Sequence, residues 1–293
     1  MKKPVITIFT PAYNRANLLP SLYNSLKKQS SKDFEWVIVD DGSIDNTSEV
    51  IDEFISEGIL SIRYLKKVNE GKHIAINKGV EMAHGELFFI VDSDDVLPER
   101  SIDIILHKYS LIKNDKSVAG VVGRKGYISG GVIGTNIKYK DVISTSLHFR
   151  FKEKISGDMA EVYRLEILKE YPFPKFEGER FCPEALVWQR IDQKYKMLWF
   201  SDVVYEGEYL EGGLTSNIFR IRKESPKASC LYYSSLAKYE VPIFQKLKAT
   251  ANYWRFAIYD NISFLRKMKK VSFGLSVLSL PFILLLILKD NMR

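Results

Sequence analysis

The first ninety residues alternate between short apolar runs and longer segments in which apolar residues recur every three or four positions. Short apolar runs with many β-branched residues are typical of buried strands, and the longer spacing is typical of amphipathic helices. Strands that alternate with helices are joined by right-handed crossovers, so they form a largely parallel sheet with helices on both faces. The predicted strands are residues 5–10, 34–39, 60–65 and 87–91. Three helices are predicted between and after them. The first begins at the cap residue Asn17, the second contains residues 50–55 and ends at Gly58, and the third spans residues 72–83.

The rest of the chain has weaker patterns. The sequence predicts a further strand at residues 118–122, a Gly-rich hairpin or loop at 126–134, and helices at 159–168 and 183–195. Beyond Asn217 the helical patterns continue without strand signals, and the residues become basic and aromatic. We therefore predict an α/β domain over residues 1–218 and a helical C-terminal region over residues 219–293.

Charge divides the chain at the same place. The formal net charge of +7 consists of −3 over residues 1–218 and +10 over residues 219–293. An acidic body with a basic end does not require nucleic acid as a partner, and we predict none.

The chain has two cysteines, Cys182 and Cys230, and no Cys-x-x-Cys motif. This pattern argues against a disulfide scaffold or a cysteine zinc site and fits a reducing compartment.

The basic end contains a candidate membrane segment. Residues 266–270 carry four positive charges, and the 18 residues 271–288 that follow carry none. A helix of that length spans about 27 Å, slightly less than the hydrocarbon core of a bilayer, and Gly274 and Pro281 weaken a simple span. We expect an interfacial or re-entrant anchor at the cytoplasmic face of the membrane, where anionic lipids attract basic residues. A single span and a helix docked on the protein are the alternatives.

Two acidic clusters follow predicted strands, Asp40-Asp41-Gly42-Ser43 and Asp92-Ser93-Asp94-Asp95. In parallel sheets, ligands bind beyond the carboxyl ends of the strands, where both clusters would lie. Turn and cap chemistry explains either cluster alone, but two at one edge favour a site. The spacing Asp92-x-Asp94 suits Mg²⁺ or Mn²⁺, which bridges carboxylates and substrate phosphates. The sequence lacks GxGxxG and GxxxxGK[ST], so dehydrogenase and P-loop functions are disfavoured.

The order and spacing of these motifs resemble the family 2 glycosyltransferases of the GT-A fold. The resemblance is strong over residues 4–100 and looser over residues 101–215, and it implies a donor half of about 1–100 and an acceptor half of about 101–218. It also implies inverting transfer of a sugar from a nucleoside-diphosphate sugar, expected to be UDP-linked, to a hydroxyl of a lipid-linked or polysaccharide glycan. The matching motifs are T-P-A-Y-N-R at residues 10–15, V-D-D-G-S at 39–43, N-E-G-K at 69–72, N-K-G at 77–79, G-E at 85–86 and D-S-D-D at 92–95.

The resemblance implies roles for individual residues of the donor half. Pro11, Tyr13 and Asp41 would border the nucleotide base, with Asp41 accepting a base N–H. Asp92 would lie near the ribose, and Asp94 would bind the Mn²⁺ or Mg²⁺ ion that neutralises the diphosphate. The donor-binding residues implied in this way are Pro11, Tyr13, Asp41, Lys72, Asp92 and Ser93.

Members of this family place a catalytic carboxylate at the start of a later helix, with an arginine downstream. Glu184 and Arg190 match these positions, although Pro183 replaces the usual first acid. The resemblance therefore implies that Glu184 is the base that deprotonates the acceptor hydroxyl. The structural alternative is a first-turn acid that interacts with the helix dipole. Asp158, Glu177 and Glu179 are nearby and compete with Glu184 for the role of base. The predicted acceptor-side residues are Asp158, Arg164 and Arg190. Residues 212–215 are a candidate closing loop or a simple turn.

Two other functions fit parts of the sequence. Residues 92–96 fit the nucleophile loop of a haloacid dehalogenase-type phosphatase, in which Asp92 would be phosphorylated and Asp94 would act as acid and base. Asp95 in place of the usual glycine argues against that function. A non-catalytic nucleotide-sugar-binding protein would keep the donor motifs without using Glu184 as a base. The sequence does not indicate an oligomeric state.

Overall fold

A computed structural model describes residues 3–208 and 217–291 of the chain. Eight strands form one sheet in the order β3-β2-β1-β4-β7-β5-β8-β6. The strands are β1 (Ile6–Ala12), β2 (Phe34–Asp40), β3 (Ile62–Lys66), β4 (Leu87–Ile90), β5 (Val118–Gly126), β6 (Val142–Ser144), β7 (Met159–Arg164) and β8 (Lys196–Glu206).

Helices connect the strands of the sheet and make up the C-terminal region. In the α/β part they are α1 (Leu19–Lys27), α2 (Thr47–Glu57), α3 (Lys72–Met82), α4 (Ser101–Ile112), α5 (Ser146–Phe151), α6 (Leu165–Glu170) and α7 (Ala185–Ile191). In the C-terminal region they are α8 (Ile218–Glu224), α9 (Pro226–Leu236), α10 (Ile243–Ala257), α11 (Phe264–Met268), α12 (Phe273–Leu278) and α13 (Leu280–Asn291).

The sheet is mostly parallel, as predicted. β1 pairs in parallel with β2 and β4, and β2 pairs in parallel with β3. β7 lies antiparallel between β4 and β5, which returns β5 and its parallel neighbour β8 to the direction of the first four strands. The edge strand β6 is antiparallel to β8. The carboxyl ends of β1, β2 and β4 therefore meet at one edge.

Two apolar clusters lie on the two faces of this sheet, so the prediction of helices on both faces is confirmed. Along β1, Ile6 and Ile8 belong to one cluster and Phe9 to the other, because successive side chains of a strand point to opposite faces. Helices α1, α2 and α4 cover the first face, and α3, α6 and α7 contribute to the second.

The first ninety residues fold close to prediction, with small shifts at the element ends. Pro20 lies in the first turn of α1, although the cap residue is Leu18 rather than Asn17 and its side chain makes no capping hydrogen bond. Gly58 ends α2 in the left-handed conformation, at φ +66°. Local patterns were sufficient in this part of the chain because strand and helix periods are both clear there.

The second half of the domain required corrections. The helix predicted over residues 159–168 is wrong: residues Met159–Arg164 are strand β7, and only Leu165–Glu170 are helical. The ladders to β4 and β5 fix this segment as a strand. The helix predicted at residues 183–195 is limited to Ala185–Ile191, and the sequence analysis did not identify α4, α5, β6 or β8.

The C-terminal region is helical in its described residues, as predicted, and it packs on the α/β part. The carboxylate of Glu179, in the segment before α7, accepts hydrogen bonds from Lys227 N at 2.8 Å and Ala228 N at 2.9 Å, at the start of α9. α10 packs along α9, and α12 and α13 pack along α10. Among the described residues, no helix has the length and apolar character needed to cross a membrane.

Candidate active site

The two acidic clusters lie at the same edge of the sheet. Pro11 and Ala12 at the end of β1 pair with Val39 and Asp40 at the end of β2. On the other side of β1, Phe9 pairs with Ile90, two residues before Asp92. The predicted convergence of residues 40–43 and 92–95 follows directly from this register.

Lys72 connects the donor half to the predicted base. It is the first residue of α3, and its Nζ lies 2.6 Å from Asp92 Oδ1 and 2.8 Å from Glu184 Oε1. Burial disfavours the charged ammonium, but the two carboxylates outweigh that effect and raise the pKa of Lys72. Burial likewise disfavours the carboxylate of Asp92, yet the adjacent Lys72 lowers the pKa of Asp92. The site is therefore a charged triad of one cation and two anions.

Glu184 does not cap helix α7 with its side chain. It occupies the position before α7, but its side chain makes no capping hydrogen bond. Its carboxylate is partly exposed and contacts Lys72 instead. Glu179, another candidate for the base, is buried, and its carboxylate is hydrogen-bonded to the start of α9. Glu177, a third candidate, is exposed to solvent.

A close backbone contact brings Glu184 to Lys72. Gly71 has φ +95°, and a Cβ atom added there would lie 1.9 Å from the carbonyl oxygen of Arg180. The segment leading to Glu184 therefore lies directly against the start of α3, at a distance that only glycine permits.

Asp41 holds the chain as it enters α3. Its Oδ1 accepts hydrogen bonds from Lys67 Nζ at 2.7 Å and Glu70 N at 3.0 Å, and its Oδ2 accepts from Gly71 N at 2.7 Å. A carboxylate has about four acceptor positions, so about one remains for a ligand. Tyr13 is exposed just beyond β1, and Ser93 is buried between Asp92 and Asp94.

A buried network fixes the loop that contains Asp92 and Asp94. Asp92 N donates to the Tyr205 hydroxyl at 2.9 Å, and that hydroxyl donates to Asp95 Oδ2 at 2.6 Å. Lys125 Nζ lies 2.8 Å from the same Asp95 oxygen. Asp95 is therefore a structural residue, and β8, which supplies Tyr205, positions the acidic loop.

Asp94, the predicted metal ligand, lies in the same loop. Its half-buried carboxylate forms no hydrogen bond or ion pair with any residue that the structure describes. No group of three or more His, Cys, Asp or Glu side chains within residues 3–208 and 217–291 is arranged to hold a metal ion. Mg²⁺ and Mn²⁺ commonly bind one or two carboxylates together with substrate phosphates, so the residues fit an ion that arrives with a diphosphate.

A cavity of about 460 Å³ opens beside Glu184. Its wall includes Asp158, one of the predicted acceptor-side residues, together with Arg150, Glu161 and Gln189, which the sequence analysis did not identify. Arg150 donates to Gly157 O at 2.9 Å and to Glu161 Oε1 at 3.1 Å. Burial raises the pKa of Glu161 to about 7, and the nearby Arg150 offsets only part of that effect.

Gln189 is the most informative of these additional residues. The side chain is 6% exposed and lies in the cavity wall, and its Oε1 has no hydrogen-bond partner among the described residues. Buried polar atoms in proteins are almost always paired, so an unpaired one beside a cavity indicates a bound ligand or water. The sequence carries no local signal that places Arg150, Glu161 or Gln189 at this cavity.

Two predicted acceptor-side residues do not reach the cavity. Arg164 is buried at the end of antiparallel β7, opposite Leu87, and therefore lies at the far edge of the sheet. It donates to the carbonyl oxygens of Val118 and Ile112 and to the Tyr109 hydroxyl, so its role is structural and the prediction is corrected. Arg190 donates to Pro172 O at 3.2 Å and does not line the cavity. Residues 212–215, the candidate closing loop, lie outside the described residues.

Solved structures share this fold. The TarS 1–349 fragment of S. aureus in complex with UDP-GlcNAc matches with a TM-score of 0.65 at 20% identity, over 87% of this chain and 73% of that one. The mannosyltransferase PcManGT of Pyrobaculum calidifontis, in complex with GDP-Man and Mn²⁺, matches with a TM-score of 0.58 at 17% identity, over 98% of this chain and 81% of that one. At these identities the likeness establishes the fold.

Sequence relatives cover different shares of the chain. A GalNAc(5)-diNAcBac-PP-undecaprenol beta-1,3-glucosyltransferase of Campylobacter jejuni is 23% identical over 99% of this chain and 95% of its own. Three other curated relatives are 29–35% identical, and the chain spans about half of their length or less, between 34% and 52%. The model of the family described as Glycosyl transferase family 2 matches residues 7–165, which include both acidic clusters and Lys72. The chain therefore belongs to glycosyl transferase family 2.

Proposed function

We propose that the protein transfers a sugar from a nucleoside-diphosphate sugar, with UDP as the expected nucleotide, to a hydroxyl group of an acceptor glycan, with inversion at the anomeric carbon. The observation that carries this proposal is the contact of Lys72 with both Asp92 and Glu184 at the mouth of a polar cavity. This arrangement brings a donor-side carboxylate and a candidate base to one cation. The UDP-GlcNAc bound to TarS and the family membership support the proposal.

In the proposed donor site, Pro11 and Tyr13 border the base, and Asp41 offers its remaining acceptor position to a base N–H. Asp92 and Ser93 lie on the ribose side. Lys72 supplies a positive charge that attracts the diphosphate and stabilises it as it departs. The α/β part, residues 1–218, is the proposed catalytic domain, with the donor half at about 1–100 and the acceptor half at about 101–218.

Asp94 is the proposed ligand for Mn²⁺ or Mg²⁺. Bound there with the donor, the ion would neutralise charge on the leaving diphosphate. Its carboxylate forms no hydrogen bond or ion pair with a described residue and is therefore available for this role. The Mn²⁺ in the PcManGT complex is consistent with a divalent ion in this fold.

Glu184 is the proposed general base. In the charged triad, Lys72 contacts Glu184 and holds it at the cavity, where an acceptor hydroxyl would lie. The hydroxyl proton passes to Glu184 as the oxygen attacks the anomeric carbon, and the bond to the nucleoside diphosphate breaks on the opposite side. Asp158 remains the predicted acceptor-side residue, and Arg190 acts at most indirectly.

We propose that the acceptor is a lipid-linked or polysaccharide glycan at the cytoplasmic face of a membrane, with the C-terminal region at the membrane surface. The acceptor named in the C. jejuni relative carries an undecaprenyl diphosphate, and that relative aligns with nearly the whole chain. The excess of basic residues beyond residue 218 fits an anionic leaflet.

The decisive experiment compares Glu184→Gln with the wild type in a panel of nucleotide sugars with Mn²⁺ and glycan acceptors. We expect turnover to fall by roughly 10²–10⁴-fold, the usual contribution of a general base, with unchanged UDP affinity in calorimetry. Glu177→Gln, in the same segment but exposed, is the matched control and should keep full activity. Normal turnover in Glu184→Gln would remove Glu184 from the mechanism.

The same assay separates the alternatives. Donor binding without sugar transfer to any acceptor in the wild type would favour a non-catalytic nucleotide-sugar-binding protein. The phosphatase function has lost its basis, because the chain belongs to glycosyl transferase family 2 and Asp92, the required nucleophile, is paired with Lys72.

A further inference from the structure

The last three helices of the chain carry large apolar side chains on their exposed surface. These side chains are between 48% and 74% exposed. They occur on all three helices within 25 residues of sequence, so they form a much denser group than the scattered exposed apolar residues of an ordinary surface. The apolar surface consists of Phe264, Leu265, Phe273, Val277, Leu278, Leu280, Leu284, Leu285 and Leu288.

The inner side of the same helices is held by polar contacts. Trp254 Nε1 in α10 donates to Ser276 Oγ at 3.0 Å, and Ser279 Oγ donates to Leu247 O at 3.2 Å. Near the end of α13, Arg255 Nε donates to Asp290 Oδ2 at 2.6 Å, and both side chains of this ion pair are largely buried. Ser276, Ser279 and Asp290 therefore face the protein, while Leu284, Leu285 and Leu288 face outward.

α13 is apolar on both sides, because Phe282, Ile283, Leu286 and Ile287 are partly buried while Leu284, Leu285 and Leu288 face solvent. A helix on the surface of a water-soluble protein turns polar residues to solvent instead. The apolar surface thus needs an apolar environment from outside the chain.

The basic residues beside the apolar surface indicate what this apolar environment is. Arg266, Lys267, Lys269 and Lys270 separate the apolar residues of α11 from those of α12, and Lys289 lies next to Leu288. Apolar side chains interspersed with lysines match an anionic lipid surface, in which leucines enter the acyl boundary and lysines contact phosphates. A second copy of the chain would bring two such basic clusters together, which is unfavourable.

We propose that α11, α12 and α13 lie flat on one anionic leaflet and insert the apolar surface into its outer hydrocarbon region. α12 has 6 residues and α13 has 12, so the longer of them extends only about 18 Å and lies along the leaflet rather than across it. This inference deepens the proposed membrane association and rests on it, since it names the side chains and the lipid class.

The apolar surface is connected to the candidate active site through packed helices. α13 packs on α10, α10 packs on α9, and the start of α9 is held by Glu179, five residues before Glu184. A leaflet bound at α11–α13 therefore holds the catalytic domain in a fixed relation to an acceptor anchored in the same leaflet.

The test is co-sedimentation of the full chain with vesicles of phosphatidylcholine alone or with phosphatidylglycerol. We expect binding to anionic vesicles, and a loss of at least about tenfold in Leu284→Glu/Leu285→Glu, because two charges cannot enter the acyl boundary. Leu111→Glu, an exposed leucine of α4, is the matched control and should bind like the wild type. Arg266→Glu/Lys269→Glu should lose the preference for anionic lipid.

Equal vesicle binding by the wild type and Leu284→Glu/Leu285→Glu would overturn the inference. A second result would also overturn it: neither protein binds vesicles, and light scattering shows a dimer for the wild type but not for the double variant. In that case a second copy of the chain would cover the apolar surface. Donor turnover with a water-soluble acceptor, measured without vesicles, should be the same in both proteins. Absence of that turnover in the wild type would count against the proposed enzyme and leave the lipid result intact.

Discussion

At the scale of single residues, Lys72 gains a role that its position in the N-E-G-K motif did not reveal. The resemblance implied a donor-binding residue, and the structure adds Glu184, 112 positions away in sequence, to the same ammonium. The contact exists because Gly71 lets the backbone of Arg180 approach the start of α3. One glycine and one lysine thus join the proposed donor and acceptor halves.

Replacing Lys72 with Met should impair both donor binding and chemistry. The variant leaves Asp92 and Glu184 without their shared cation and removes a charge from the leaving group, so we expect turnover to fall on the order of 10²-fold or more and UDP to bind more weakly. Steady-state kinetics and calorimetry measure the two effects. Lys78→Met, in the same helix but exposed and paired with Glu81, is the control. Unchanged kcat in Lys72→Met would contradict this role.

Replacing Gly71 with Ala should destabilise the protein by about 2 kcal/mol or more, because the new Cβ would collide with Arg180 O and the positive φ is strained for alanine. Activity should fall as well, since the segment before Glu184 must move. Gly58→Ala is the matched control: its φ is also positive, but no atom lies within 4 Å of the added Cβ, so we expect a cost of about 1 kcal/mol and full activity. Urea unfolding and kinetics of both variants decide the prediction.

At the scale of elements, two connections organise the site: β8 supplies Tyr205 to the acidic loop, and the start of α9 binds Glu179. Neither connection is visible in a local pattern. The Glu179 carboxylate pairs with free N–H groups at a helix N-terminus, where the helix dipole also favours a negative charge.

Substituting Glu179 with Ala should lower the free energy of unfolding by about 2 kcal/mol, because two N–H groups of α9 lose a charged acceptor. Chemical denaturation measures the change. Exposed Glu177→Ala should remain within about 0.5 kcal/mol of the wild type, as is usual for surface positions. If both variants were equally stable, the contact with α9 would contribute nothing to the fold.

At the scale of the whole molecule, two acids buried on the acceptor side link stability to pH. Burial raises the pKa of Glu161 to about 7 and that of Asp192 to about 6. At pH values between the ordinary pKa of these acids and the raised pKa, the folded protein binds more protons than the unfolded chain. Stability from these groups is therefore fully present at low pH and is lost as the pH rises through 6 and 7.

We expect Glu161→Gln to flatten this decline by roughly 1–3 kcal/mol between pH 5 and pH 8, since the amide stays neutral and retains an acceptor for Arg150. Urea midpoints at the two pH values measure the effect. The wild type should lose more stability than the variant over this range. Parallel pH profiles would show that Glu161 is not protonated in the folded protein near neutral pH.

The sequence by itself determined the parallel half of the sheet and the edge where residues 40–43 and 92–95 meet, and its resemblance to family 2 glycosyltransferases implied Glu184 as a candidate base. These features depend on local periods, turn residues and motif order, all of which are written along the chain. The tertiary structure decided that residues 159–164 form a strand, that Arg164 lies at the far edge, and that Lys72 contacts both Asp92 and Glu184. It also decided that Leu284, Leu285 and Leu288 of α13 face outward. Each of these depends on which distant segments pack together, and a local pattern carries no information about that.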